Sequence, residues 1–372
     1  MTTMEDMSAI VLEQADRLFQ QHVNKEILSA ADGGAWPATL WAALEDAGLP
    51  LAMVPEAASG VGLAAADVAN LIRRAAFHSV PLPLAETMIA NRLWTDAGGE
   101  PLEGAATLGP TNQTDQLTVT RTGKSWRLKG VAHHVPWGLQ STALIFARDE
   151  GGAGFLARVP APTSANLNKR RRNVAYEPRD ELRFDDIELT GDAIRPAPAY
   201  LTKDGLMPFG AAIRSQQIVG GMERCLDYAL TYANERVQFG RPIAKFQAVQ
   251  HMLAIAAGHF AAASAAADAL TESERLGDDR FAVAIAKSRC GEAAGQVAAV
   301  CQQVHGAMGF TQEHPLHFAS RRLWSWRDEW GAETYWQEVI GRAICAVGGE
   351  GFWPLLVDPK VDPKASDAIR QA

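Results

Sequence analysis

Cysteine is scarce in this chain: four in 372 residues, Cys225, Cys290, Cys301 and Cys345, with no paired spacing. That excludes a disulfide framework and predicts free thiols in a reducing, cytoplasmic setting. Basic charge is short as well, since 35 Lys and Arg face 43 Asp and Glu for a net charge of −8. A nucleic-acid surface needs an excess of cations on one face and is not expected. The one basic run, Lys169-Arg-Arg-Arg172, reads as a solvated loop with a ligand phosphate as its alternative partner. Met1-Thr-Thr-Met-Glu-Asp-Met7 has no basic stretch ahead of an apolar one, so no signal peptide is expected. Long apolar runs are missing too. Ala254 to Leu270 is mostly alanine and is interrupted by His259, Ser264 and Asp268, which predicts a packed helix and no membrane span.

What is present fits a soluble chain of two or three domains, with 47% hydrophobic and 21% charged residues. Residues 1–103 read as helices, with apolar faces at Ile10, Leu12, Ala15 and Leu18 and again at Leu40 and Leu44 before a stop at Gly48. Over residues 104–198 the period becomes alternating. Leu117 with Val119, Trp126 with Leu128, Ala143 to Ala147, Gly154 to Val159 and Leu182 to Ile187 read as short strands of a small barrel or sandwich. Residues 199–372 are helical again, with breaks near Gly240, Gly277 and Gly306, which predicts a four-helix bundle. The fold class is therefore α+β, mainly α, in the order helical, β, helical.

The most specific text is Glu235-Arg-Val-Gln-Phe-Gly-Arg-Pro-Ile-Ala-Lys-Phe-Gln247. Ile218, Met222, Cys225, Leu226, Ala229 and Ala233 before it form one helical face. Gly240 is expected to end that helix and Pro242 to open the next. Arg236, Gln238, Phe239 and Gln247 would gather a guanidinium fork, two amides and a ring at the bend, which suits a planar ligand bearing phosphate. A helix turn with an arginine over its last carbonyls is the plainer alternative. A second stretch, Gln303-Val-His-Gly-Ala-Met-Gly-Phe-Thr-Gln-Glu-His-Pro315, follows at a distance.

Together these stretches closely resemble the acyl-CoA dehydrogenase family, which carries E-R-x-x-F-G-x-x-[IL]-x-x-x-Q and then Q-x-x-G-x-x-G-F before a proline. The order of domains agrees independently. The resemblance implies FAD as cofactor and removal of hydrogens from C2 and C3 of an acyl-CoA thioester, with an electron-transfer flavoprotein or similar acceptor downstream. It also implies that Arg236, Gln238, Phe239, Gln247, Gln303 and Gly306 contact the FAD of a neighbouring subunit, which requires a homo- or hetero-oligomer. The family's T-E-P-x-x-G-S-D segment corresponds to Leu108-Gly-Pro-Thr-Asn-Gln-Thr-Asp115 and is largely lost. The flavin-edge segment W-I-[TS]-N-G aligns with His134-Val-Pro-Trp-Gly138, placing Val135 and Pro136 at the flavin, with a proline where a hydroxyl would donate.

The catalytic base is the sharpest departure. The family's glutamate position holds Trp330 and its alternative position falls near Gly210, so Glu329 becomes the candidate base, one residue early. Two functions follow: FAD-dependent dehydrogenation by this chain, or a non-catalytic subunit completing the FAD site of a catalytic partner. No metal is expected. His133 and His134 are adjacent in a strand and should face opposite ways, while His314 and His317 lack a third ligand.

Overall fold

The computed structural model describes residues 4–161, 169–202 and 204–357. Five helices come first: α1 (Met4–His22), α2 (Lys25–Asp32), α3 (Ala38–Asp46), α4 (Ala65–Phe77) and α5 (Leu84–Asp96). The Asn24 side chain accepts from the Ile27 amide and starts α2. Helix α5 is buried nearly all round, and every residue from Leu84 to Asn91 is buried, Glu86 included. It is therefore an interior helix.

Seven strands follow: β1 (Ala106–Gly109), β2 (Thr118–Thr122), β3 (Ser125–Pro136), β4 (Thr142–Arg148), β5 (Gly154–Val159), β6 (Arg179–Leu189) and β7 (Ile194–Pro196). They form one mixed sheet in the order β6-β3-β2-β4-β5-β7, with β1 parallel to β4 off that path. Val119, Leu128, Ala132, Ile145 and Leu182 fill its core. The β3–β6 pairing slips between Ala132 and Val135, on His133 and His134, and His134 takes a left-handed φ of 57°. Strict alternation of side chains therefore fails at the two histidines, because a bulge re-aims the chain there.

The last third is helical: α6 (Met207–Glu235), α7 (Gln247–Asp268), α8 (Arg280–His305), α9 (Leu316–Asp328) and α10 (Glu333–Val357), the last kinked at Gly348. Four of these are long, and the shorter α9 packs on α6 and α8. Small residues such as Ala229, Ala256, Ala263, Ala294 and Ala298 let the helices approach closely. Two sequence expectations change here. Helix α6 stops at Glu235, and β8 (Val237–Gln238) pairs with β9 (Arg241–Pro242) around a two-residue turn in which Phe239 and Gly240 have φ of 53° and 80°. Gly240 thus serves a hairpin turn instead of a helix end, and Pro242 leads into a 3-10 turn, Ile243–Lys245, before α7. Helix α7 is buried only at Ala256, Ala263 and Ala267, so it is packed along one face and open along the other. By length and hydropathy, Gln247–Glu272 and Glu333–Val357 are apolar enough to cross a membrane, though both lie against α8 here.

Candidate functional site

A cavity of about 660 Å³ opens between the sheet and the bundle. Thr111, Thr114 and His134 border it on the sheet side, and Met207, Trp330 and Tyr335 on the helical side. Its size is that of a small-molecule site. The 111–115 loop is held by Asp115, which accepts from the His133 amide at 2.6 Å and meets His133 Nδ1 at 2.7 Å. Thr111 Oγ1 donates to the His133 carbonyl at 2.9 Å. His133 is thus engaged with the loop while His134 borders the cavity.

The opposite wall is the turn between α9 and α10. Trp330 and Gly331 have φ of 58° and 90°, a strained conformation for tryptophan, and Trp330 is only 2% exposed. Lys287, fully buried on α8, donates to the carbonyls of Arg327 at 2.6 Å and Gly331 at 2.8 Å, bracketing the turn. Trp336 Nε1 donates to the Trp330 carbonyl at 2.9 Å. The indole lies directly over Gly210 of α6, where an added Cβ would stand 2.0 Å from it. The two positions singled out in sequence as the family's base positions therefore touch each other. Neither carries a carboxylate.

Glu329, beside Trp330, lines the cavity but is tied down from three sides. Arg179 Nε donates to it at 2.8 Å, Arg214 Nε at 2.7 Å and Asn173 Nδ2 at 3.0 Å. Burial works against its charge, yet the guanidiniums of Arg179 and Arg214 outweigh burial and hold its carboxyl at about 2. Arg214 also pairs with buried Glu86 of α5 at 2.8 Å. Below it, buried Glu177 accepts from Arg179, Arg322 and Trp326 at 2.8 to 3.1 Å. One knot of charge thus joins the N-terminal helices, the sheet and the bundle. Arg179, Arg214, Asn173 and Tyr335 escape sequence reasoning, because they have partners far along the chain.

The residues expected at FAD lie elsewhere. Arg236, Gln238, Phe239, Gln247, Gln303 and Gly306 are all exposed, and none borders the cavity. They share one end of the bundle: Tyr232, one turn before Arg236, stacks on His305 at 4.6 Å, and His305 meets His314 at 4.5 Å. Phe239 is 93% exposed and Phe310 is 74% exposed. Val135 and Pro136 are buried, Val135 in the sheet core, and neither borders the cavity; their neighbour His134 does. Among the described residues no three His, Cys, Asp or Glu side chains are grouped as a metal ion requires.

Residues 207–345 match the family profile described as acyl-CoA dehydrogenase, C-terminal domain. The chain is 31% identical over 215 residues to 3-sulfinopropanoyl-CoA desulfinase of Paraburkholderia xenovorans, an alignment covering 54% of this chain and 55% of that protein. It thus spans about half the length of that relative. With acyl-CoA dehydrogenase IpdE2 of Mycolicibacterium smegmatis it shares 24% identity over 323 residues, covering 86% of this chain and 93% of the other. The fold matches a chain of the ChsE4-ChsE5 complex from Mycobacterium tuberculosis with a TM-score of 0.81 and 20% identity, over 94% of this chain and 100% of that one.

Proposed function

Residues 207–345 form an acyl-CoA dehydrogenase C-terminal domain in a chain with the acyl-CoA dehydrogenase fold, and on that premise we propose that it is a non-catalytic subunit completing the FAD site of a catalytic partner. The observation that carries this reading is the indole of Trp330 seated on Gly210. Abstraction of a thioester α-proton needs a carboxylate at the reacting carbon, and here both positions that would supply one are closed against each other. The outward motif residues fit the same reading. Arg236, Gln238, Phe239, Gln247, Gln303 and Gly306 face away from the chain's own cavity, where they can meet a cofactor held by another chain.

The residues suit FAD. Arg236 offers a fork for the pyrophosphate, and Phe239 and Phe310 offer exposed ring faces for an adenine. The chain's own cavity of about 660 Å³, bordered by His134 and Tyr335, has the volume for a planar ring. FAD, when bound, supplies the hydride acceptor. The open faces of α7 and α10 would meet the partner, and an electron-transfer flavoprotein or similar acceptor would be served by the complex.

Dehydrogenation of an acyl-CoA thioester by this chain itself is favoured by one observation, Glu329 on the cavity wall. A carboxyl held at about 2 by two guanidiniums is a weak proton acceptor, since an effective general base titrates near the working pH. The deciding measurement is acyl-CoA oxidation with an artificial electron acceptor, together with flavin content per chain, for the chain alone and with its partner. Negligible turnover alone is expected, and in the complex Glu329→Gln should leave the rate nearly unchanged. Turnover by the chain alone that Glu329→Gln abolishes would sink the subunit reading.

A further inference from the structure

Beside the ring-sized cavity lies a second one of about 520 Å³, bordered by Asp115, Gln116, Thr118, Phe146 and Arg148. Asn112, Gln113 and Met207 border both cavities, so the two are neighbours with a thin partition. Of these three, Gln113 reaches polar groups on both sides. The Gln113 amide donates to Tyr335 Oη at 2.5 Å on the side of the first cavity and to Asp204 Oδ1 at 3.2 Å on the side of the second. Arg280 braces both acceptors, pairing with Asp204 at 2.6 Å and reaching Tyr335 Oη at 3.4 Å. The bar therefore spans from the sheet loop to the start of α10, held at both ends by polar groups.

Gln113 stands where the aligned T-E-P-x-x-G-S-D segment has its glycine. A glycine there would leave the cleft undivided, because it has no side chain to reach Tyr335. We propose that Gln113 is a specificity residue that divides one long ligand cleft into two chambers and so excludes a coenzyme A thioester from this chain. The chemistry of the two halves supports that ligand class. The first chamber offers apolar walls in Met207, Trp324 and Trp330, and the second offers Gln116 and Thr118 to an amide-bearing chain. An acyl thioester of an amide-rich carrier needs both at once, whereas a planar ring needs only the first. Exclusion of the thioester gains its meaning from the subunit reading, on which it rests. Its test is of binding without turnover, so either can fail alone.

The experiment is calorimetric titration of octanoyl-CoA into the purified chain and three variants. Wild type is expected to show no saturable binding. Gln113→Gly should saturate at least about ten-fold below the highest concentration at which wild type shows no binding, and Tyr335→Phe, which removes one anchor of the bar without shortening it, should fall between. The ring probe riboflavin should bind wild type and Gln113→Gly alike. Gln113 lies in an exposed loop, and Gln113→Ser carries the same test if the glycine variant does not fold. Equal octanoyl-CoA affinity in wild type and Gln113→Gly, whether tight or absent, overturns the assignment.

Discussion

The seam around Trp330 and the outer end of the bundle carry the two halves of one family resemblance, and the chain treats them in opposite ways. At the seam every functional position is filled from inside: indole on glycine, carboxylate on guanidinium, ammonium on carbonyls. At the bundle end the motif side chains are intact in sequence and face solvent, with Phe239 on a turn of two positive-φ residues that projects it outward. Closure inward and openness outward fit the proposed reading, in which the ligand of these residues is brought by another molecule. The seam holds three structural regions together, and the bundle end presents a surface.

The largest effect should come from breaking the seam at its centre. Arg214 is fully buried between Glu86 and Glu329. Arg214→Leu would leave two carboxylates beside an apolar side chain and is expected to cost about 3–5 kcal/mol. Urea unfolding measures it, and a loss below about 1 kcal/mol would show that water enters the knot freely.

A smaller effect sharpens the indole–glycine contact itself. Gly210→Ala gains helix propensity, about 1 kcal/mol at most. Its Cβ meets an indole held by a buried turn, and overpacking of that kind costs about 1–3 kcal/mol. A net destabilisation is expected, and in the double variant with Trp330→Leu the two changes should couple by about 0.5–3 kcal/mol. Strict additivity would mean the contact does not constrain either residue.

The sequence made the broad plan legible because each region has its own period. Val119, Leu128 and Ile145 alternate as strand residues, while Met222, Cys225 and Ala229 recur as helix residues, and both patterns hold in the fold. The hairpin at Phe239-Gly240 was legible only as a break, since one glycine serves a helix end and a turn equally well. The bulge at His133-His134 was hidden, because bulges leave composition unchanged. At the seam, Trp330, Gly210 and Glu329 were legible as positions, but the ion pairs that close it were not. Glu86, Arg179, Arg214 and Glu329 come from four distant segments, and a buried charge looks in sequence like a surface one until its partners are placed. The Gln113–Tyr335 bar escaped for the same reason.

The smallest structural effect carries the most functional weight. Arg236 and Phe239 are exposed, and substitutions away from packing or buried polar groups leave stability nearly unchanged. Arg236→Ala and Phe239→Ser should therefore give unfolding midpoints indistinguishable from wild type. Mixed with the catalytic partner, Arg236→Ala should lose flavin, because a charge-assisted pair to phosphate that is removed weakens binding by about ten-fold or more, and Phe239→Ser should lose less, because it removes only a ring face. Flavin absorbance per complex after gel filtration reads this directly. Were Arg236→Ala to destabilise the isolated chain strongly, the residue would belong to the bundle's own packing, and the outward face would lose its claim on a partner. Were the midpoint and the flavin content both unchanged, the bundle end would be a surface without this function, and the contrast with the seam would reduce to a closed site beside an idle one. A lost cofactor on an undisturbed fold is the result expected of an outward-facing role.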